Sequence, residues 1–178
     1  MERREALLVI VAKFFQEGRD VDPYASTETM RALDQVIRNQ LTDSLSRSAQ
    51  QWRRLYQEEG RKLGTPSRNN PFPDRAAMDR LRHFKEMADN LSQLTAQINA
   101  LEAPASDRVY HRIRKNDQIL SHLIDVDYQL AMTAAALDSL TMALSEDTWQ
   151  DAEPAFRERL DQLIQGIRNR SRIVSEVV

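Results

Sequence analysis

The sequence predicts an all-α protein: an elongated antiparallel bundle of about five helices, three of them long. Three observations carry this. Glycine and proline are scarce, four and six among 178 residues, so few positions force a turn. Apolar side chains recur at steps of three and four over stretches longer than any strand. The residues between them are largely Ala, Leu, Gln, Arg and Glu, which enter a helix at little cost. With 41% hydrophobic residues the chain can fill a core, and residues 1–178 are read as a single helical-bundle domain.

An N-terminal apolar helix occupies residues 1–18, with a wide stripe of Leu7, Leu8, Ile10, Val11, Phe14 and Phe15. The loop GRDVDP ends it. Ser26 or Thr27 then caps a second helix that runs to about Leu63, with Glu28 favourable in its first turn. Its stripe is Met30, Leu33, Ile37, Leu41, Ser44, Ser48, Trp52, Leu55, Glu59 and Leu63, in steps of 3, 4 and 4. An 11-residue repeat of that kind keeps one face of an almost straight helix in line.

Residues 64–73, GTPSRNNPFP, form a Pro-rich loop, and Asp74 caps the third helix. This helix carries Leu81, Phe84, Ala88, Leu91, Leu94, Ile98 and Leu101, and stops before Pro104. So short a connection turns the chain into an antiparallel hairpin. The fourth helix, from about Asp107 to Leu144, has the most regular seam: Ile119, Leu123, Val126, Leu130, Thr133, Leu137, Leu140 and Leu144. A second stripe, Leu120, Ile124, Tyr128, Ala131, Ala135 and Met142, runs beside it, which predicts neighbours on two sides and a central place in the bundle. The fifth helix, from near Glu153 to Val177, takes Pro154 in its first turn and packs through Phe156, Leu160, Leu163, Ile167, Val174 and Val177.

Composition excludes several chemistries. Without cysteine there is no disulfide, no thiolate-ligated metal and no thiol nucleophile. The run ALLVIVAKFF, residues 6–15, is far shorter than the ~20 residues of a membrane span, and no cleavage site comes after it, so neither span nor signal peptide is expected. A cytoplasmic location is the expectation.

The histidines and acids do not assemble into a site at the level of sequence. Asp125 and Asp127 project about 200° apart on a helix and cannot act as a carboxylate pair. His111 and His122 would stand roughly 16 Å apart along one helix, too far for one ion. His83 lies in RLRHFKEM, where the lysine comes at the wrong distance and no glycine stands for the His-x-x-Lys-Gly pattern of phosphotransfer bundles. GRKLGT, residues 60–65, ends a helix and lacks the Gly-Lys-Ser/Thr of a phosphate loop. No pair of Glu-x-x-His motifs marks a di-iron bundle. Neither catalysis, nor a cofactor, nor a metal is expected.

Charge is segregated along the chain. Residues 1–115 hold 20 basic against 16 acidic side chains, net +4, whereas residues 116–156 hold none against eight, net −8. The basic residues cluster as Arg53, Arg54, Arg61, Lys62 and Arg68, joined by Arg75, Arg80, Arg82 and Lys85 at one end of an antiparallel bundle. Arg108, Arg112, Arg114 and Lys115 should meet Arg168, Arg170 and Arg172 at the other. Two functions fit. One is a non-catalytic interaction or assembly protein, an adaptor or scaffold, acting through charged helix faces, on itself or on a protein partner, with Leu7, Ile10, Phe14 and Phe15 as a further apolar contact face. The other is an accessory subunit that binds RNA or single-stranded DNA through its arginine-rich ends, with Trp52 and Tyr56 interleaved among the cations.

Overall fold

The computed structural model describes residues 24–63, 74–100 and 107–175. Among them are five helices and no strand: α1 (Thr27–Leu63), α2 (Arg75–Ala100), α3 (Asp107–Arg114), α4 (Asp117–Ala143) and α5 (Trp149–Ser175). The all-α bundle read from the sequence is the fold observed. The expected N-terminal helix, the Pro-rich loop and the Pro104 connection lie outside the described residues.

α1 spans 37 residues, roughly 55 Å at the helical rise. Ser26 Oγ accepts from Thr29 N at 3.0 Å while Thr29 Oγ1 accepts from Ser26 N at 3.0 Å, a reciprocal cap. Its predicted stripe is buried from Met30 to Glu59. α2 starts where Asp74 Oδ2 accepts from Ala77 N and returns antiparallel along α1, with Phe84 and Leu91 buried.

The single fourth helix expected from the sequence is corrected by the structure. The chain breaks at Asn116, whose backbone is extended (φ −118°, ψ 100°) and whose side chain accepts from Gln118 N and Ile119 N. The reason is phase. The fourth seam, continued backwards from Ile119, meets Asn116 and Arg112, while the apolar residues before it are Val109, Tyr110 and Ile113. A break lets α3 rotate these three inward, and all three are buried.

α4 runs parallel to α1, and the two meet through small side chains. Ser44 Oγ donates to the Ala134 carbonyl oxygen, Ser48 and Thr141 hydroxyls pair at 2.6 Å, and Gln51 Nε2 donates to the Leu144 carbonyl. α5 turns back antiparallel to α4 after a cap in which Thr148 Oγ1 accepts from Ser145 N. Because α5 starts at Trp149, Pro154 lies inside the helix beyond its first turn, on the exposed side. Close approach of α5 to α4 needs Gly166, where a Cβ would stand 2.7 Å from Leu130 Cδ2. α1 and α4 thus form the centre, with α2 on the flank of α1 and α5 on that of α4. At one end Trp52, Phe84, Phe156, Trp149 and His83 stack edge and face, and join α1, α2 and α5.

Candidate functional site

The sequence offers no polar cluster inside the seams; the structure contains one. Toward the end of the bundle where α1 begins, Arg170 of α5 is buried between two carboxylates. Its Nε donates to Asp127 Oδ1 of α4 at 2.7 Å and its Nη1 donates to Asp34 Oδ1 of α1. Tyr24 donates its hydroxyl to Asp127 Oδ2 at 3.0 Å, and Arg38 Nε donates to Asp34 Oδ2 at 2.7 Å. Tyr110 of α3 is buried beside them, its hydroxyl without a hydrogen-bond partner among the described residues. Arg170 therefore does not join the basic surface at the end of the bundle, where its place in the sequence puts it. It fills the slot between Ile167 and Val174 in the α5 stripe, where an apolar side chain is expected.

Burial pushes the Asp127 carboxyl up, and nearby Asp34 adds to the push, against the Arg170 guanidinium and the Tyr24 hydroxyl. For Arg170 burial opposes the charge, but Asp127 and Asp34 outweigh it and the guanidinium is held more firmly charged than in water. Burial, reinforced by Asp34, pushes the Tyr110 phenol up to about 12. Each oxygen of the two carboxylates that carries a bond receives it from a guanidinium or a phenol of the same cluster. Of the buried side-chain polar atoms of the cluster, the Tyr110 hydroxyl alone is left over among the described residues.

Much of the acidic block of residues 116–156 is engaged in the same way. Asp138 takes Arg47 of α1 at 2.6 Å, Glu146 takes Lys62 of α1, Glu153 takes Arg157 on its own helix, and Asp127 takes Arg170. Glu153 Oε2 also stands 3.1 Å from His83 Nε2, out of line for a hydrogen bond. At least four of the block's eight acids thus have cationic partners within the bundle.

The candidate binding residues of the sequence are divided between the two ends of the bundle. Arg53, Arg54, Arg61 and Lys62 are exposed at the far end of α1. Arg53 donates to Ser92 Oγ at 2.7 Å, Arg54 to Glu58 at 2.7 Å, and Lys62 to Glu146. Trp52, fully buried, cannot stack on a base; Tyr56 is 40% exposed. Arg112, Arg114 and Lys115 are exposed at the opposite end. Arg68, Leu7, Ile10, Phe14 and Phe15 lie outside the described residues. His111 and His122 are both exposed, on α3 and α4. Among the described residues no three His, Asp or Glu side chains stand together so as to hold a metal ion, and no helix is long and apolar enough to cross a membrane.

The surface that stands out is the outer face of α4. The two stripes of the sequence predict neighbours for α4 on two sides, and it packs between α1 and α5. Of the second stripe Ala131 is buried and Leu120, Ile124 and Tyr128 pack against the core, while Ala135 and Met142, 84% exposed, stay open beside Met132, 46% exposed. From Gln129 to Leu144 the only charged residue is Asp138, and it is turned toward Ser44 and Arg47. Beside this face runs a shallow groove between α4 and α5, lined by Tyr128, Gln129, Met132, Gln162, Gln165 and Asn169, again without a charge. Compared with known proteins, the chain matches no family model, no curated protein and no solved structure.

Proposed function

We propose that the protein is a non-catalytic interaction or assembly bundle of the cytoplasm, acting as an adaptor or scaffold. One observation carries this reading: the second half of α4, Gln129–Ala143, holds one charged residue, Asp138, and that residue is turned toward α1, yet its outer side leaves Met132 and Met142 exposed among the described residues. The charged faces form the rim of the contact rather than its centre, because many of their charges are already paired. The Arg170 cluster supports this reading, since both of its carboxylates are engaged by Arg170, Arg38 and Tyr24. The test is recovery of the tagged chain from its native host, as wild type and as Met132→Glu. A complex that forms with the wild type and is lost in the equally stable variant is expected. A strict monomer that brings down nothing contradicts the reading.

The second reading, binding of RNA or single-stranded DNA, is favoured by the exposed row Arg53, Arg54, Arg61 and Lys62. It requires binding that weakens steeply with salt and disappears on Arg53→Glu with Arg54→Glu. Salt-independent or absent binding removes it.

A further inference from the structure

We infer that the open face of α4 is covered by the same face of a second copy of this chain, the two α4 helices running antiparallel across a two-fold axis near Ala135. The inference rests on the interaction reading above and names its partner.

Spacing comes first. Tyr128, Met132, Ala135, Ser139 and Met142 succeed one another at steps of 4, 3, 4 and 3. This is the 3.5-residue seam by which one helix packs on another, and it is separate from the inward seam through Leu123, Leu130 and Leu137. All five are exposed or half-buried.

Charge supplies the second argument. A two-fold contact sets a patch against itself, so any net charge on the patch repels its own image. In a chain with 29% charged residues, the stretch from Gln129 to Leu144 carries only the inward Asp138, and the amides of Gln162, Gln165 and Asn169 line its edge. A partner with a strongly charged face would leave its own charges without counterparts there. This surface opposes no such charge when it meets itself.

Size complementarity fixes the direction. About an axis at Ala135, antiparallel pairing sets Met142 against Tyr128 and Met132 beside the small Ser139 of the other copy, while the two Ala135 residues meet at the centre. A thioether against an aromatic ring edge is favourable, and small residues at the crossing let the backbones approach. Parallel pairing would instead set Met132 on Met132 and leave Ser139 opposite Ser139, with gaps beside the bulky pairs. The seam is roughly 21 Å long by helical rise, at the small end for a stable interface, so the dimer is to be sought at tens of micromolar, a dissociation constant that corresponds to about −6 to −7 kcal/mol.

The chain has no cysteine, so single cysteines report the contact without background. Light scattering of the full chain should give a dimer, and Met132→Glu a monomer of unchanged helicity and melting. Mild oxidation should crosslink Ala135→Cys into a covalent dimer but not Met142→Cys, whose two sulfurs would stand roughly 20 Å apart in the antiparallel arrangement. A wild-type monomer, a dimer indifferent to Met132→Glu, or equal crosslinking at both positions overturns the inference. Protection of Met142→Cys from a thiol reagent in a monomer also overturns it, because the chain's own residues would then be the cover. A monomer that still loses a co-purified protein on Met132→Glu removes the second copy alone and leaves the interaction reading. Neither oligomer nor partner removes both.

Discussion

Arg170 is the side chain on which three helices converge, and its removal strands two carboxylates in the interior. Arg170→Met is expected to cost about 3–5 kcal/mol by chemical denaturation, the usual penalty for breaking a buried ion network from one side. The loss should shrink as pH falls. With the cation gone, the Asp127 carboxyl, already pushed up by burial, loses the guanidinium that opposed the push; a raised folded value means stability is greatest below the unfolded pKa and fades as pH rises through the folded one. A penalty that is constant between about pH 4 and pH 8, the window set by ordinary carboxylates and their raised forms, would show that the two acids are not left facing each other. Tyr110 gives a second expectation. Its phenol, pushed up to about 12, stays protonated in the fold after the unfolded chain would ionise near ~10, so this contribution is whole below that pH and is lost through the alkaline range above it. Tyr110→Phe should remove that alkaline loss and, since the hydroxyl has no partner among the described residues, stabilise by about 1 kcal/mol at neutral pH. Neither residue announces itself in the sequence. Arg170 looks like one of three basic residues near the end of the chain, and only its place in the α5 stripe, between Ile167 and Val174, hints that it points inward.

Among the elements, α1 is the most legible, because its 3, 4, 4 repeat runs unbroken and even its polar members Ser44, Ser48 and Glu59 are buried as the pattern requires. α4 is legible in its seam but not in its extent: the slip between Ile113 and Ile119, with an asparagine between them, is a sequence signal for a break, but a helix-favouring composition on both sides masks it. Where α5 packs on α4, Gly166 stands directly against the Leu130 side chain. Gly166→Ala should therefore destabilise by about 1–3 kcal/mol in spite of alanine's better helix propensity, through overpacking. Leu130→Ala should cost about 2–5 kcal/mol, as for a buried leucine, whereas exposed His122→Ala should change little. Thermal melts of the three variants check the order. A stabilised Gly166→Ala protein would mean that the two helices are not in the contact described.

At the scale of the whole molecule, the separation of basic and acidic residues along the chain becomes a means of internal assembly. Arg47–Asp138, Lys62–Glu146 and Arg170–Asp127 each join an acid of the block 116–156 to a cation from α1 or α5, and the first lies along the parallel contact of α1 with α4. The charge pattern is plain in the sequence; which partners it serves is not, because pairing across helices depends on which faces meet. After that pairing the outer side of α4 from Gln129 to Ala143 is left without a free charge, and this side is the proposed interface. Hydroxyl-radical footprinting of methionines reads it directly, with exposed Met78 of α2 and buried Met30 and Met87 as internal standards. As the protein is concentrated from nanomolar to tens of micromolar, Met132 and Met142 should become protected while Met78 stays reactive. Oxidation of Met132 and Met142 that keeps pace with Met78 at every concentration would contradict the claim.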